Sequence, residues 1–210
     1  NLKELFMNIL ITGHSSGIGL EIVKLSIDLG FNVFGISRNS CNLKDISDEK
    51  KVDLCNETSV YSSLDWIEKK KIDIFIHCAG SNVIKKLFDT SADDYLSAYK
   101  LHVLSATQII KPVLKNMQSI KSGRIFFISS IWSKIACPSR GSYSIAKAGL
   151  NALARQVAVE YKDFNITAQS IILGFVDTPL TKKTQKDPLL QIAKSRLSKQ
   201  LDIPSSRSIA

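Results

Sequence analysis

Tyr143-Ser144-Ile145-Ala146-Lys147 sets a phenol and an ammonium four residues apart. On a helix those two positions share a face. A cation beside a phenol favours the phenolate and draws the pKa down from its ordinary value of about 10. A phenol tuned in that way works as a general acid near neutral pH. A second stretch, Thr12-Gly13-His14-Ser15-Ser16-Gly17-Ile18-Gly19, holds three glycines between an apolar run and an amphipathic one. Gly13 permits a tight turn, Gly17 lets backbone approach a phosphate, and Gly19 lets helix pack closely on strand. Ser15, Ser16 and Ile18 complete the loop, and the helix that follows offers free N–H groups and a positive dipole end to a pyrophosphate.

A third group, Ser37-Arg38, closes the next apolar run in Gly35-Ile36-Ser37-Arg38-Asn39. NAD-preferring dinucleotide folds carry an acid there for the ribose hydroxyls. This chain has none. A guanidinium suits the 2′-phosphate of NADP, with Ser37 as an added donor, so NADP(H) is the expected cofactor.

The elements that must position these groups follow from hydrophobic period. Met7–Thr12 is an apolar run, and Ile18, Ile22, Leu25 and Leu29 recur at helical spacing up to a C-capping Gly30. Strands are expected at Asn32–Ser37, Val52–Leu54, Ile72–His77, Arg124–Ser129 and Ile166–Leu173. Helices are expected at Glu57–Lys70, Asp93–Ser119 and Ser142–Tyr161. Continuous apolar strands alternating with helices imply an α/β protein with a parallel sheet covered on both faces. Asn39–Lys51 is polar with weak periodicity, which predicts a loop or a helical turn.

The spacing T-G-x-x-x-G-x-G, followed in order by Y-x-x-x-K, resembles the short-chain dehydrogenase/reductase family over nearly the whole chain, and in a general way its 3-oxoacyl-carrier-protein reductases. The resemblance implies a Rossmann-like, doubly wound, three-layer αβα fold with strand order 3-2-1-4-5-6. The family's seventh strand is absent or lies beyond this sequence. It makes Ser130, thirteen residues before Tyr143, the group that holds a substrate carbonyl oxygen, and Lys147 the ligand of the nicotinamide ribose. Asp53-Leu54 matches the pair that faces the adenine ring. Leu173-Gly174-Phe175-Val176-Asp177-Thr178 is similar to the P-G-x-V-x-T segment that meets the nicotinamide carboxamide, through Gly174, Val176 and Thr178, with Leu173 in place of proline.

Two departures stand out. The family's N-N-A-G is here His77-Cys78-Ala79-Gly80. Ala79 and Gly80 keep the close approach to the cofactor beside Cys78, but two carboxamides that bridge strands are lost. The family's catalytic Asn falls on His102, which is either a proton relay, since imidazole donates, accepts and titrates near neutrality, or a core histidine.

Composition bounds the alternatives. Of 210 residues, 44% are hydrophobic and 22% charged, which excludes disorder and collagen, and no apolar run approaches the ~18 residues of a membrane span. Cys41, Cys55, Cys78 and Cys137 are scattered, which argues against zinc and for a reducing cytoplasm. The net charge is +9, and Thr181–Gln200 alone carries six bases and one acid. An anionic carrier on a small carbonyl substrate fits that stretch, as does a solvated helix face. Nucleic acid is not expected, because no helix-turn-helix, zinc or aromatic-basic signature accompanies the charge. The chain reads as one domain over 1–210, with 1–6 a leader or cloning remnant and 179–203 a substrate lid. The resemblance implies a homodimer or homotetramer through the long helices. The expected activity is NADPH-dependent reduction of a ketone or aldehyde, with a 3-oxoacyl or keto-sugar substrate. A non-catalytic NADP-binding sensor is the alternative.

Overall fold

The computed structural model describes residues 7–184. The leader at 1–6, most of the lid at 179–203 and the sequence beyond it lie outside the described residues.

Six strands form one parallel sheet: β1 (Asn8–Thr12), β2 (Asn32–Ser37), β3 (Asp48–Lys51), β4 (Ile74–His77), β5 (Gly123–Ser130) and β6 (Ile166–Leu173). Their order is β3-β2-β1-β4-β5-β6. The helices are α1 (Gly17–Asp28), α2 (Glu57–Tyr61), α3 (Leu64–Lys69), α4 (Ala92–Tyr99), α5 (Ser105–Ile120), α6 (Gly141–Glu160) and α7 (Pro179–Thr184). Successive strand residues point to opposite faces. Leu10, Phe75 and Phe127 accordingly join Ile109, Met117 and Leu150 of α5 and α6 in one core, while Ile9 and Ile11 join Ile22 and Val23 of α1 in the other. The result is the parallel sheet covered on both faces that the periodicity predicts, in the doubly wound, three-layer form that the family resemblance implies.

Three expectations are corrected. The third strand is Asp48–Lys51, inside the stretch read as a loop, and not Val52–Leu54. It is an edge strand among the described residues, so it need not be apolar; charge on an edge discourages further pairing. Val52 and Leu54 are buried just beyond it, and Val52 N–H donates to Ser37 O at 2.9 Å. The helix expected over Glu57–Lys70 breaks into α2 and α3. The Ser62 and Ser63 hydroxyls donate to the Ser59 and Val60 carbonyls, at 2.8 and 2.6 Å, and compete with the helical ladder. The long helix from Asp93 is interrupted by a π-helical turn at Lys100–Leu104, which carries His102.

The chain reverses direction across the sheet between β1 and its neighbours β2 and β4. The crevice outside the carboxyl ends of those strands is where such folds bind ligands. His77, on β4, bonds through Nδ1 to Thr12 Oγ1 of β1 at 2.9 Å, so an imidazole restores the strand bridge whose loss the sequence implies. Thr12 Oγ1 also accepts from the Cys78 and Ala79 N–H groups. Burial, followed by the charge of Lys147, pushes His77 down to about 3, so the bridge is neutral.

Phe75 is fully buried, in edge-to-face contact with Phe127 at a centroid distance of 6.4 Å. Phe75→Ala is expected to cost about 3–5 kcal/mol of stability, read from urea unfolding.

Candidate active site

The glycine loop is shaped by contacts that leave no room for side chains. Gly13 has φ +71° and Gly17 φ +58°. A Cβ on Gly13 would stand 2.7 Å from Ala79 Cα, and one on Gly19 would stand 2.3 Å from Gly13 O. At Gly17 the nearest atom would be 3.6 Å away, on Thr178. The loop is thus tight against the sheet and open toward the crevice, which is the shape a pyrophosphate requires. Ser16 caps α1 without a side-chain hydrogen bond, and Ser15, Ser16 and Ile18 line the same cleft.

That cleft encloses about 350 Å³ and runs along the carboxyl ends of the strands. At one end are Ser37, Arg38, Asp53 and Leu54. Arg38 is exposed. The Ser37 hydroxyl donates to Asn39 O at 2.5 Å, so it is committed as a donor, and the added donor expected for a 2′-phosphate is not available in this arrangement. Asp53 accepts from Cys55 N–H at 3.0 Å, and its own N–H donates to Ser59 Oγ. In the middle are Cys78, Ala79 and Gly80. At the other end the cleft gathers Ser130, Tyr143 and Lys147 against Gly174, Val176 and Thr178.

Ser130 closes β5, and Tyr143 and Lys147 sit in the first two turns of α6. Lys147 is 3% exposed and donates to Ile128 O at 2.6 Å. Its ammonium lies 5.7 Å from the Tyr143 ring centroid. Burial lowers Lys147 from its usual value to about 8. Tyr143 goes the other way. Burial pushes its phenol up, against a hydrogen bond with the Ser130 side chain and the charge of Arg140. The lowering by Lys147 that the four-residue spacing predicts does not appear; burial dominates, and the groups that oppose it are Ser130 and Arg140.

His102 does not line the cleft; it is fully buried behind it. Its Nε2 donates to Ser81 O at 3.0 Å, which leaves Nδ1 as the acceptor, buried and without a hydrogen-bond partner. Burial, with the charge of Lys147 second, holds its pKa well below 6.5. The titration near neutrality expected of this imidazole is therefore absent. A Cβ on Gly80 would stand 3.7 Å from both His102 Nδ1 and Lys147 Nζ, so the space between base and cation is the side chain that Gly80 lacks.

Sequence reasoning missed a neighbouring hollow of about 70 Å³, lined by Asn82, Trp132, Arg140 and Phe175 together with Ser130 and Tyr143. Arg140 is 1% exposed. Its place three residues before Tyr143, one helical turn away, was the available signal. Cys41, Cys55 and Cys78 form no disulfide among the described residues. No helix among the described residues is long and apolar enough to cross a membrane.

The family model for short chain dehydrogenases matches residues 7–189. The chain is 30% identical over 185 residues to a 3-oxoacyl-[acyl-carrier-protein] reductase of Chlamydia pneumoniae, covering 82% of this chain and 75% of that one. It is 27% identical over 195 residues to a D-beta-hydroxybutyrate dehydrogenase of Rhizobium meliloti, covering 84% and 74%. In fold it is similar to ElxO with NADP bound, with TM-score 0.85, 22% identity and coverage of 98% and 88%. It is also similar to the aldohexose dehydrogenase of Thermoplasma acidophilum, with TM-score 0.84, 21% identity and coverage of 96% and 82%. The chain belongs to the short-chain dehydrogenase family. It is an oxidoreductase acting on CH–OH or C=O groups.

The pH dependence follows from the groups around Tyr143. Below about 8 Lys147 is charged, and above it the ammonium is lost. His77 and His102 stay neutral through this range, and Tyr143 keeps its proton. Carbonyl reduction is expected to fall as pH rises through about 8, with no inflection between pH 6 and 7, in a profile of kcat/KM for the cofactor, which reports the free enzyme.

Proposed function

We propose that Ser130, Tyr143 and Lys147 carry NADPH-dependent reduction of a ketone, and that the substrate is a 3-oxoacyl group on an anionic carrier. The observation that supports it is the meeting of these three side chains on one wall of the cleft whose other end is the glycine loop and Arg38. The bound cofactor supplies a hydride to the carbonyl carbon. Ser130 Oγ and Tyr143 Oη hold the carbonyl oxygen, and Tyr143 gives its proton to that oxygen as negative charge grows on it. A phenol held above its ordinary pKa keeps that proton until the transfer. Lys147 donates to the nicotinamide ribose, and its charge favours the phenolate left behind. His102, at the place of the family's asparagine, stays neutral and holds Ser81 O through Nε2.

The carrier is supported by the 3-oxoacyl-[acyl-carrier-protein] reductases among the relatives and by the six bases in Thr181–Gln200. A complete Ser130, Tyr143 and Lys147 set argues against a non-catalytic sensor. Leu96, Tyr99, Ile145 and Val159 are exposed on α4 and α6, which supports assembly as a homodimer or homotetramer through the long helices. Scattered cysteines, with no disulfide at Cys41, Cys55 or Cys78 among the described residues, support the cytoplasm.

Tyr143→Phe is expected to lower turnover of acetoacetyl thioesters roughly 10²–10⁴-fold while NADPH still binds, and retained activity would refute the role. Arg38→Asp is expected to shift the NADPH/NADH ratio of kcat/KM toward NADH by about 10–100-fold, the worth of a charge-assisted bond to a phosphate.

A further inference from the structure

Glu49 touches no part of the cleft, yet its carboxylate sits where two cleft-forming loops meet. It lies on β3 opposite Gly35 of β2. His14 Nε2, from the glycine loop, donates to Glu49 Oε2 at 2.8 Å. The same oxygen accepts from Cys41 N–H at 3.1 Å. Ser40 and the Cys41 thiol also hydrogen-bond to this carboxylate; against burial, these bonds and the one from His14 hold it at about 2. The carboxylate is therefore charged and fully engaged across any working pH.

The imidazole has a slot of its own. His14 is 1% exposed, and its ring lies where a Cβ on Gly35 would come, at 2.4 Å from Cδ2. A glycine inside a buried strand marks close approach of another group, and here that group is His14. On the far side, the turn that presents Arg38 is held at two points. Ser37 Oγ donates to Asn39 O, and Cys41 N–H donates to Glu49.

We propose that the His14–Glu49 pair is a positioning device for the cofactor's 2′-phosphate, one carboxylate clamping the glycine loop to the Arg38 turn and so setting how strongly the protein distinguishes NADP(H) from NAD(H). The proposal rests on Arg38 receiving that phosphate. The glycine loop serves the pyrophosphate that both cofactors share, whereas the Arg38 turn meets the one group in which they differ. An exposed arginine loses rotamer freedom when it binds, and pinning its backbone beforehand lowers that cost for the 2′-phosphate alone.

His14 Nε2, Cys41 Sγ and a Glu49 oxygen also lie within 4.8 Å of one another, which the scattered cysteines of the sequence did not suggest. The 2.8 Å separation of His14 and Glu49 is a direct hydrogen bond, and the same oxygen accepts from Cys41 N–H, so the clamp accounts for all three residues.

The test is fluorescence titration of NADPH and NADH onto the whole chain, with no substrate needed. Glu49→Ala and His14→Ala are expected to weaken NADPH about ten-fold and NADH less than about three-fold. His14→Gln, whose amide nitrogen reaches the place of Nε2, is expected to restore NADPH to within about three-fold of wild type. Equal losses for both cofactors, or no loss, would overturn the clamp. If Arg38→Asp shifts the preference and Glu49→Ala does not, the clamp alone fails. If Arg38→Asp shifts nothing, the reading of Arg38 and the clamp fall together. Stoichiometric zinc binding that disappears in His14→Ala would replace the clamp with a metal site.

Discussion

The backbone at the end of β1 runs directly against the backbone after β4, with Gly13 and Ala79 too close for any side chain between them. Everything around the crevice is arranged on that contact. It places the glycine loop at the reversal of strand order, brings Cys78, Ala79 and Gly80 under the cofactor's path, and requires Thr12 to stitch the two strands with its hydroxyl. The dense hydrogen bonding of Thr12 matters because Thr12 is fully buried; an unpaired buried donor there would cost ~1–3 kcal/mol. A histidine in place of a carboxamide at position 77 meets the same requirement with a ring that burial keeps neutral.

The reacting end of the cleft follows a second constraint. Lys147 is a cation held with almost no solvent, and it donates to a backbone carbonyl of β5. Burial therefore works on the whole cluster in concert: it lowers the lysine, lowers His77 and His102, and raises Tyr143. Each group is pushed toward its neutral form, and Lys147, at about 8, keeps the charge that favours a phenolate at neutral pH. Arg140 is the exception, a buried guanidinium whose charge reaches Tyr143 from the substrate side.

The sheet was largely legible because its central strands are written twice, once in apolar composition and once in the motifs at their ends. β2 and β6 fall at the bounds that the sequence predicts, and Ser130 closes β5 as expected. What the sequence concealed depends on neighbours. Asp48–Lys51 pairs on one side only, so its composition carries no strand signal. The phenol of Tyr143 was read from one neighbour four residues away, while its environment is set by burial from several elements. Ser37 was read as a free donor, and its own turn takes that donor up. The link from His14 to Glu49 spans thirty-five residues and uses a polar stretch that looked like a connector.

Gly35 and His14 also constrain how such a chain can change over generations. The ring occupies the volume that any side chain at position 35 would need. A larger residue at 35 is acceptable only after position 14 has become small, and a histidine at 14 only while position 35 remains glycine. The effects of the two substitutions are thus not additive, as is usual for residues in contact.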